Sequence, residues 1–211
     1  MIYRPYGEQI RVGPVSTSRT ELIDLIKAWI AISLAFSIVI SSSVFSSRFM
    51  AYFIVSSLTV GLGFIAHELS HKIVAQHYGC FAEFRSFDRM LILAILMSFF
   101  GFIIAAPGAV VISGPVGRRR NGKISAAGAI ANLTVAAIFL GIGLTIKLDS
   151  ILFLARYGAM INTWLALFNM IPFWNFDGRK VLNWNRKVYV LMLLLGISFM
   201  ILNGIVFGGF K

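Results

Sequence analysis

Ala105-Ala106-Pro107-Gly108-Ala109-Val110-Val111-Ile112-Ser113-Gly114-Pro115 decides how many times this chain crosses a membrane. The stretch closes an apolar run that starts near residue 90 and would otherwise count as one more transmembrane helix. Pro107 pushes the residue before it toward extended backbone, and Gly108 follows at once, so a helix arriving from residue 90 ends here. From Ala109 to Ser113 the residues are mostly β-branched and bounded by Gly and Pro, the pattern of a short strand. The stretch therefore predicts that residues 90–122 enter and return on one side as a helix-and-strand hairpin. Irregular backbone at membrane depth is tolerated only where protein buries it or where it lines a wet cavity.

The rest of the sequence sets the medium. Of 211 residues, 58% are hydrophobic and only 13% charged, and the mean hydropathy is +0.85, far above a soluble domain. A hydrocarbon core of about 30 Å takes roughly 20 apolar residues per helix. Apolar runs stand at about 22–43, 50–76, 90–112, 124–146, 151–173 and 187–208, with no long linker between them. They predict one membrane-embedded domain over residues 1–211, with a core at about 50–185 and the first and last helices peripheral to it. The first 20 residues hold Pro5, Gly7, Gly13 and Pro14 and read as an irregular or short-stranded segment. Ser18 with Glu21 forms a capping-box pattern that opens the first helix. The apolar stretch around Ala28 to Ile40 is not read as a signal peptide, because the region before it is about 27 residues long and carries Glu8, Glu21 and Asp24. Cys80 is the single cysteine, a buried or interfacial thiol that excludes any intrachain disulfide.

Nineteen Lys and Arg against eight Asp and Glu give a net charge of +11. Spread between apolar runs, these cations act as topology signals and lipid-headgroup contacts; a nucleic-acid partner is excluded. Six simple crossings with the N-terminus inside would place Arg118-Arg119-Arg120 with Lys123, and Arg179, Lys180, Arg186 and Lys187, on the outer side, violating the positive-inside rule twice. With 90–122 re-entrant, Lys72, Arg85, Arg89 and both clusters fall inside, and mainly Arg48, Lys147 and Lys211 fall outside. The fold class is an all-α polytopic membrane protein of five to six transmembrane helices. The preferred form has five spans and a re-entrant helix/β-strand hairpin.

The chemistry sits in His67-Glu68-Leu69-Ser70-His71. Residues four apart share a helix face, so two imidazoles can meet one metal ion with Glu68 alongside as general base for a zinc-bound water. Three ionisable groups within five residues of a span cost on the order of 2.5–3.5 kcal/mol each and mark function. Catalytic zinc takes a third protein ligand and keeps one position open. Asp177 is the strongest candidate, at the end of the apolar run 151–173 and followed by Gly178. It meets the histidines only if that run ends inside, a condition that the re-entrant topology satisfies and six simple crossings do not.

These residues resemble the site-2 protease family of intramembrane zinc metalloproteases. That family joins a His-Glu-x-x-His helix to a downstream Asn-x-x-Pro-x-x-x-x-Asp-Gly element, present here as Asn169, Pro172, Asp177 and Gly178. Gly128-Ala129-Ile130-Ala131-Asn132 is similar to a further family signature, with Ala129 in place of Pro, and Phe176 stands where the family usually has Leu. The resemblance covers about residues 50–185. It implies one Zn2+ per chain held by His67, His71 and Asp177, with Glu68 as catalytic base and Asn169 positioning substrate or stabilising the oxyanion. Asn132 either shares in this role or makes an interhelical hydrogen bond.

The implied activity is endoproteolysis within or near transmembrane helices, in a multi-pass protein of the plasma membrane with its active site toward the cytoplasm. Partners are transmembrane protein substrates and the lipid bilayer; oligomeric state is not legible. A transmembrane substrate must first be unwound, and Ala109 to Ser113 is the candidate edge to hold it by backbone pairing. The strand's other reading is simple packing against helix 50–76. Two competing functions remain: a non-proteolytic zinc protein for transport or sensing, and an inactive relative, against which the intact Glu68 speaks. His77 reads as interfacial, Gly61 and Gly63 as close-packing positions, and Gly204 to Gly208 as a lone small-xxx-small match. Trp29, Tyr78, Trp174, Trp184 and Tyr189 read mostly as interfacial-belt aromatics.

Overall fold

Gly13, at φ 61°, and Pro14 turn the N-terminal chain back on itself, joining strand β1 (Gln9–Val12) to an antiparallel β2 (Val15–Ser18). The short-stranded reading of this segment holds; Pro5 and Gly7 lie outside the described residues. The computed structural model describes residues 9–41, 43–103, 107–146, 148–173 and 175–208. The chain divides into two compact units, Met1–Pro115 and Val116–Lys211.

In the first unit, helix α1 (Arg19–Ser41) begins directly after β2. The Ser18 hydroxyl accepts from the Glu21 backbone N–H at 3.2 Å, which is one half of the capping box. The Glu21 carboxylate does not return to Ser18; it is drawn inward to Thr17, Lys72 and Phe84. Lys72, counted from sequence among the inward-facing cations, is 2% exposed and ion-paired with Glu21.

The run 50–76 is a 29-residue helical stretch long and apolar enough to cross a bilayer. It comprises α2 (Phe49–Ser56), one π-helical turn (Ser57–Gly61) and α3 (Leu62–His77). The π turn is braced from α1, since Trp29 donates its indole N–H to the Ser57 carbonyl at 3.1 Å. Hydroxyls of Ser57 and Thr59 donate to the Phe53 and Val55 carbonyls, each at 2.7 Å. A Cβ on Gly61 would overlap the Trp29 indole, so Gly61 is a close-packing position as expected. Trp29 accordingly packs in a helix interface.

Among the described residues, 90–112 hold no helix of spanning length. Helix α4 (Asp88–Ser98) has 11 residues, about 16 Å at 1.5 Å per residue, half of what a bilayer requires. Strand β4 (Gly108–Ser113) follows and pairs antiparallel with β3 (Phe81–Ser86), in register Glu83 with Val111 and Phe84 with Val110. Ala105 and Ala106, where the sequence places the return, lie outside the described residues. The β3 partner is new. Its signal was period two, small or apolar Ala82 and Phe84 alternating with Glu83 and Arg85. The Ser86 hydroxyl, and then Lys27, hold the exposed Asp88 carboxyl below the usual carboxylate range at the head of α4. Cys80 is buried before β3, with Gly114, at φ 141°, against it.

The second unit is helical: α5 (Arg118–Thr145), α6 (Asp149–Asn169), α7 (Asp177–Trp184) and α8 (Arg186–Phe207). Its core joins Ala126, Ala129 and Leu133 of α5 to Ala166, Met170, Val181, Tyr189 and Met192. Arg118 to Arg120 form the first turn of α5 and do not precede it, and Arg118 donates to the Asn183 carbonyl. Trp184 packs against Gly122, where a side chain would overlap it. Asn185 caps α8, its Oδ1 accepting from the Lys187 and Val188 amides at 2.9 and 3.3 Å. Trp174, Lys147 and Lys211 lie outside the described residues.

Five helical stretches among the described residues are long and apolar enough to span: Arg19–Ser41, Phe49–His77, Arg118–Thr145, Asp149–Asn169 and Arg186–Phe207. Large apolar side chains such as Ile92, Phe100, Leu191 and Ile205 are exposed on the surface, as a lipid-facing exterior requires. The chain is a mostly helical integral membrane protein, with two small two-stranded sheets among its described residues.

Candidate metal centre

His67 and His71 stand one turn apart on α3, and their Nε2 atoms approach to 2.9 Å. The rings meet edge to face, with centroids 4.5 Å apart and planes at 89°. Both residues are buried, at 6% and 8% exposure, and Glu68 beside them is half-buried. Zinc–imidazole bonds of about 2.0–2.1 Å place two tetrahedral nitrogens about 3.3 Å apart. A pair at 2.9 Å needs to open by only a few tenths of an ångström to share one ion. These donors fit zinc.

The helix that presents them is fixed on several sides within its unit. Gly61 meets Trp29 before the motif. Phe64 packs edge to face on Phe84 of β3 at 5.5 Å. Lys72 pairs with Glu21 directly after His71. One turn later Gln76 donates to the Ser16 carbonyl at 2.8 Å and the Ala82 carbonyl at 3.0 Å. His77 is exposed at the end of α3 against Tyr78, away from the pair on the helix.

In the second unit, the motif from Asn169 to Gly178 spans the loop between α6 and α7. Asn169 ends α6 and donates one amide N–H to the Leu165 carbonyl at 2.9 Å; an amide nitrogen carries two, so a second remains for an external acceptor. Pro172 follows the helix end, and Phe168 packs on Phe176 across the loop at 5.1 Å. Asp177 opens α7, is buried, and has Lys180 at 3.4 Å. A short helix replaces the simple turn that a solvent-facing Asp-Gly would make. Gly178 is required by contact: a Cβ there would overlap the Met170 backbone carbonyl. Asn132 is fully buried in α5. Sequence reading missed the pairing of Glu21 with Lys72. Its signal was an acid at the edge of one apolar run and a base within another, a combination rare without a partner.

A buried His-Glu-x-x-His pair on a span-length helix defines a class, the polytopic membrane proteins with a zinc-type donor set. Within it, the chain is 38% identical over 187 residues to Putative zinc metalloprotease MJ0611 of Methanocaldococcus jannaschii, an alignment covering 87% of this chain and 94% of that one. The chain belongs to the family of that protein, the site-2 protease family of membrane metalloproteases that its two motifs resemble. No family model and no solved structure matches it.

Proposed function

We propose that this chain is an intramembrane zinc endopeptidase that cuts peptide bonds within or near transmembrane helices, the activity of regulated intramembrane proteolysis. The observation that carries the reading is the buried His67–His71 pair, 2.9 Å apart at Nε2, with Glu68 between them on a span-length helix. The name of the archaeal relative supports it. In this reading one zinc per chain is held by His67, His71 and Asp177.

When bound, zinc supplies Lewis-acid polarisation of the scissile carbonyl and lowers the pKa of water. Glu68 takes the proton from the attacking water and passes it to the leaving amine. Asn169 offers its second amide N–H to the substrate carbonyl. A transmembrane helix must be opened before its amides are reachable, and β4 suits the opened strand. Among the described residues it pairs only with β3, leaving its other edge to a third strand. The basic ends of α5, α7 and α8 favour a plasma-membrane orientation with the site toward the cytoplasm.

The test uses purified full-length chain in proteoliposomes with a single-span substrate. Wild type cleaves it, and Glu68→Gln keeps its zinc but does not cleave. Cleavage unchanged by Glu68→Gln would contradict the reading. So would zinc flux that His67→Ala abolishes and Glu68→Gln preserves, which would mark transport.

A further inference from the structure

Glu21 has no exposed surface although it lies in the first turn of a span-length helix. Its carboxylate serves three donors from three elements. Oε2 accepts from the Thr17 hydroxyl of β2 at 2.7 Å and from the Lys72 ammonium of α3; Oε1 accepts from the Phe84 backbone N–H of β3 at 2.9 Å. Phe84 pairs with Val110 across the sheet, and its amide is spent on Glu21, on the side away from β4. One side chain thus grips the helix one residue beyond His71 and the middle of the strand that carries β4.

A second tie lies one turn along the same helix, where Gln76 donates to the Ala82 carbonyl of β3 and pairs with the Ser16 backbone of β2. Lys72 and Gln76 are four residues apart and share one helix face. Gln76 holds the strand directly, and Lys72 meets it only through Glu21. Taking a carboxylate and an ammonium out of water costs several kcal/mol per ion, and apolar residues of equal size commonly do as well for stability. What the apolar pair lacks is direction: it cannot hold a backbone amide at a fixed height along a helix.

We propose that Glu21 is a positioning residue: its side-chain oxygen, by accepting from the Phe84 amide, sets the β3–β4 sheet at a fixed height beside the histidine pair, while Lys72 balances the buried charge. The proposal rests on the reading of β4 as the strand that receives substrate. Glu21 itself touches no substrate. Its effect is on where the strand edge lies relative to Glu68 and the metal donors of α3.

The experiment compares two full-length double variants, neither of which strands a buried charge. Glu21→Leu with Lys72→Met removes the acceptor for the Phe84 amide; Glu21→Gln with Lys72→Met retains one. Three quantities are read: amide exchange of residues 81–86 and 108–113, zinc affinity, and KM against kcat for a single-span substrate.

The expected result for the Leu/Met variant is wild-type zinc affinity, exchange in both strands faster by about tenfold, and KM raised by about tenfold with a smaller change in kcat. The Gln/Met variant returns exchange and KM to wild type. Wild-type exchange in the Leu/Met variant overturns the proposal, as does faster exchange with unchanged KM. Should the Leu/Met variant not fold, the Gln/Met variant decides, and loss of strand protection or a raised KM in it overturns the proposal. A wild-type chain that never cleaves, with exchange responding as expected, sinks the proteolytic reading and leaves the positioning role of Glu21 standing.

Discussion

The Nε2 atoms of His67 and His71 face each other at 2.9 Å inside a helix otherwise suited to lipid. Two buried imidazoles at this distance are a preformed bidentate donor. Removing either ring leaves a single nitrogen on α3. His67→Ala or His71→Ala is expected to weaken zinc binding by at least about 100-fold, read by competition with a chromogenic chelator. Chelation of the wild type should abolish activity, and added zinc should restore it.

Glu68 is half-buried beside the pair, and the proposed mechanism uses it as a base and not as a ligand. Glu68→Gln keeps the side chain's size and hydrogen-bonding reach but cannot accept a proton. It should lower kcat by about 10²- to 10⁴-fold with one zinc per chain retained by metal analysis. Loss of zinc together with activity would make Glu68 a ligand and not a base.

Gly178 has its α-carbon against the Met170 carbonyl, so any Cβ must push α7 from the end of α6. Gly178→Ala should destabilise the protein by about 1–3 kcal/mol, seen as a lower midpoint in thermal unfolding. It should also weaken zinc binding by displacing Asp177. Asp177→Asn should leave the unfolding midpoint of the metal-free protein nearly unchanged.

Gly61 and Trp29 are tied by the same logic in the first unit. Gly61→Ala should cost about 1–3 kcal/mol where Trp29 is present and less in a Trp29→Ala background. A double-mutant cycle reads this difference as a coupling energy. Simple additivity would show that the indole does not brace the π turn.

Much of the fold was legible because membrane constraints act on composition. Pro107 and the β-branched run after it, with the positive-inside rule, pointed to α4 and β4 in place of a span at 90–112, and five span-length helices stand among the described residues. The strand β3 escaped because Glu83 and Arg85 look like loop residues until the partners of Glu83 are known, Arg85 and Gln9. The short helix α7 escaped because eight residues make only about two turns, and Asp177, Arg179 and Lys180 at its start read as a polar loop.

The histidine pair was legible because a spacing of four is a local property of the helix. Glu21 was not: its partners lie 51 and 63 residues away in sequence, and its place after Ser18 fits a cap so well that the carboxylate's true direction is hidden.

The central claim is that Asp177 completes the metal site begun by His67 and His71. The most direct measurement is a crystal structure of the zinc-loaded full-length chain with an anomalous map recorded at the zinc edge. The account predicts one peak per chain about 2.0–2.2 Å from His67 Nε2, His71 Nε2 and an Asp177 carboxylate oxygen. A peak on the two histidines with the Asp177 carboxylate turned away from it would contradict the account.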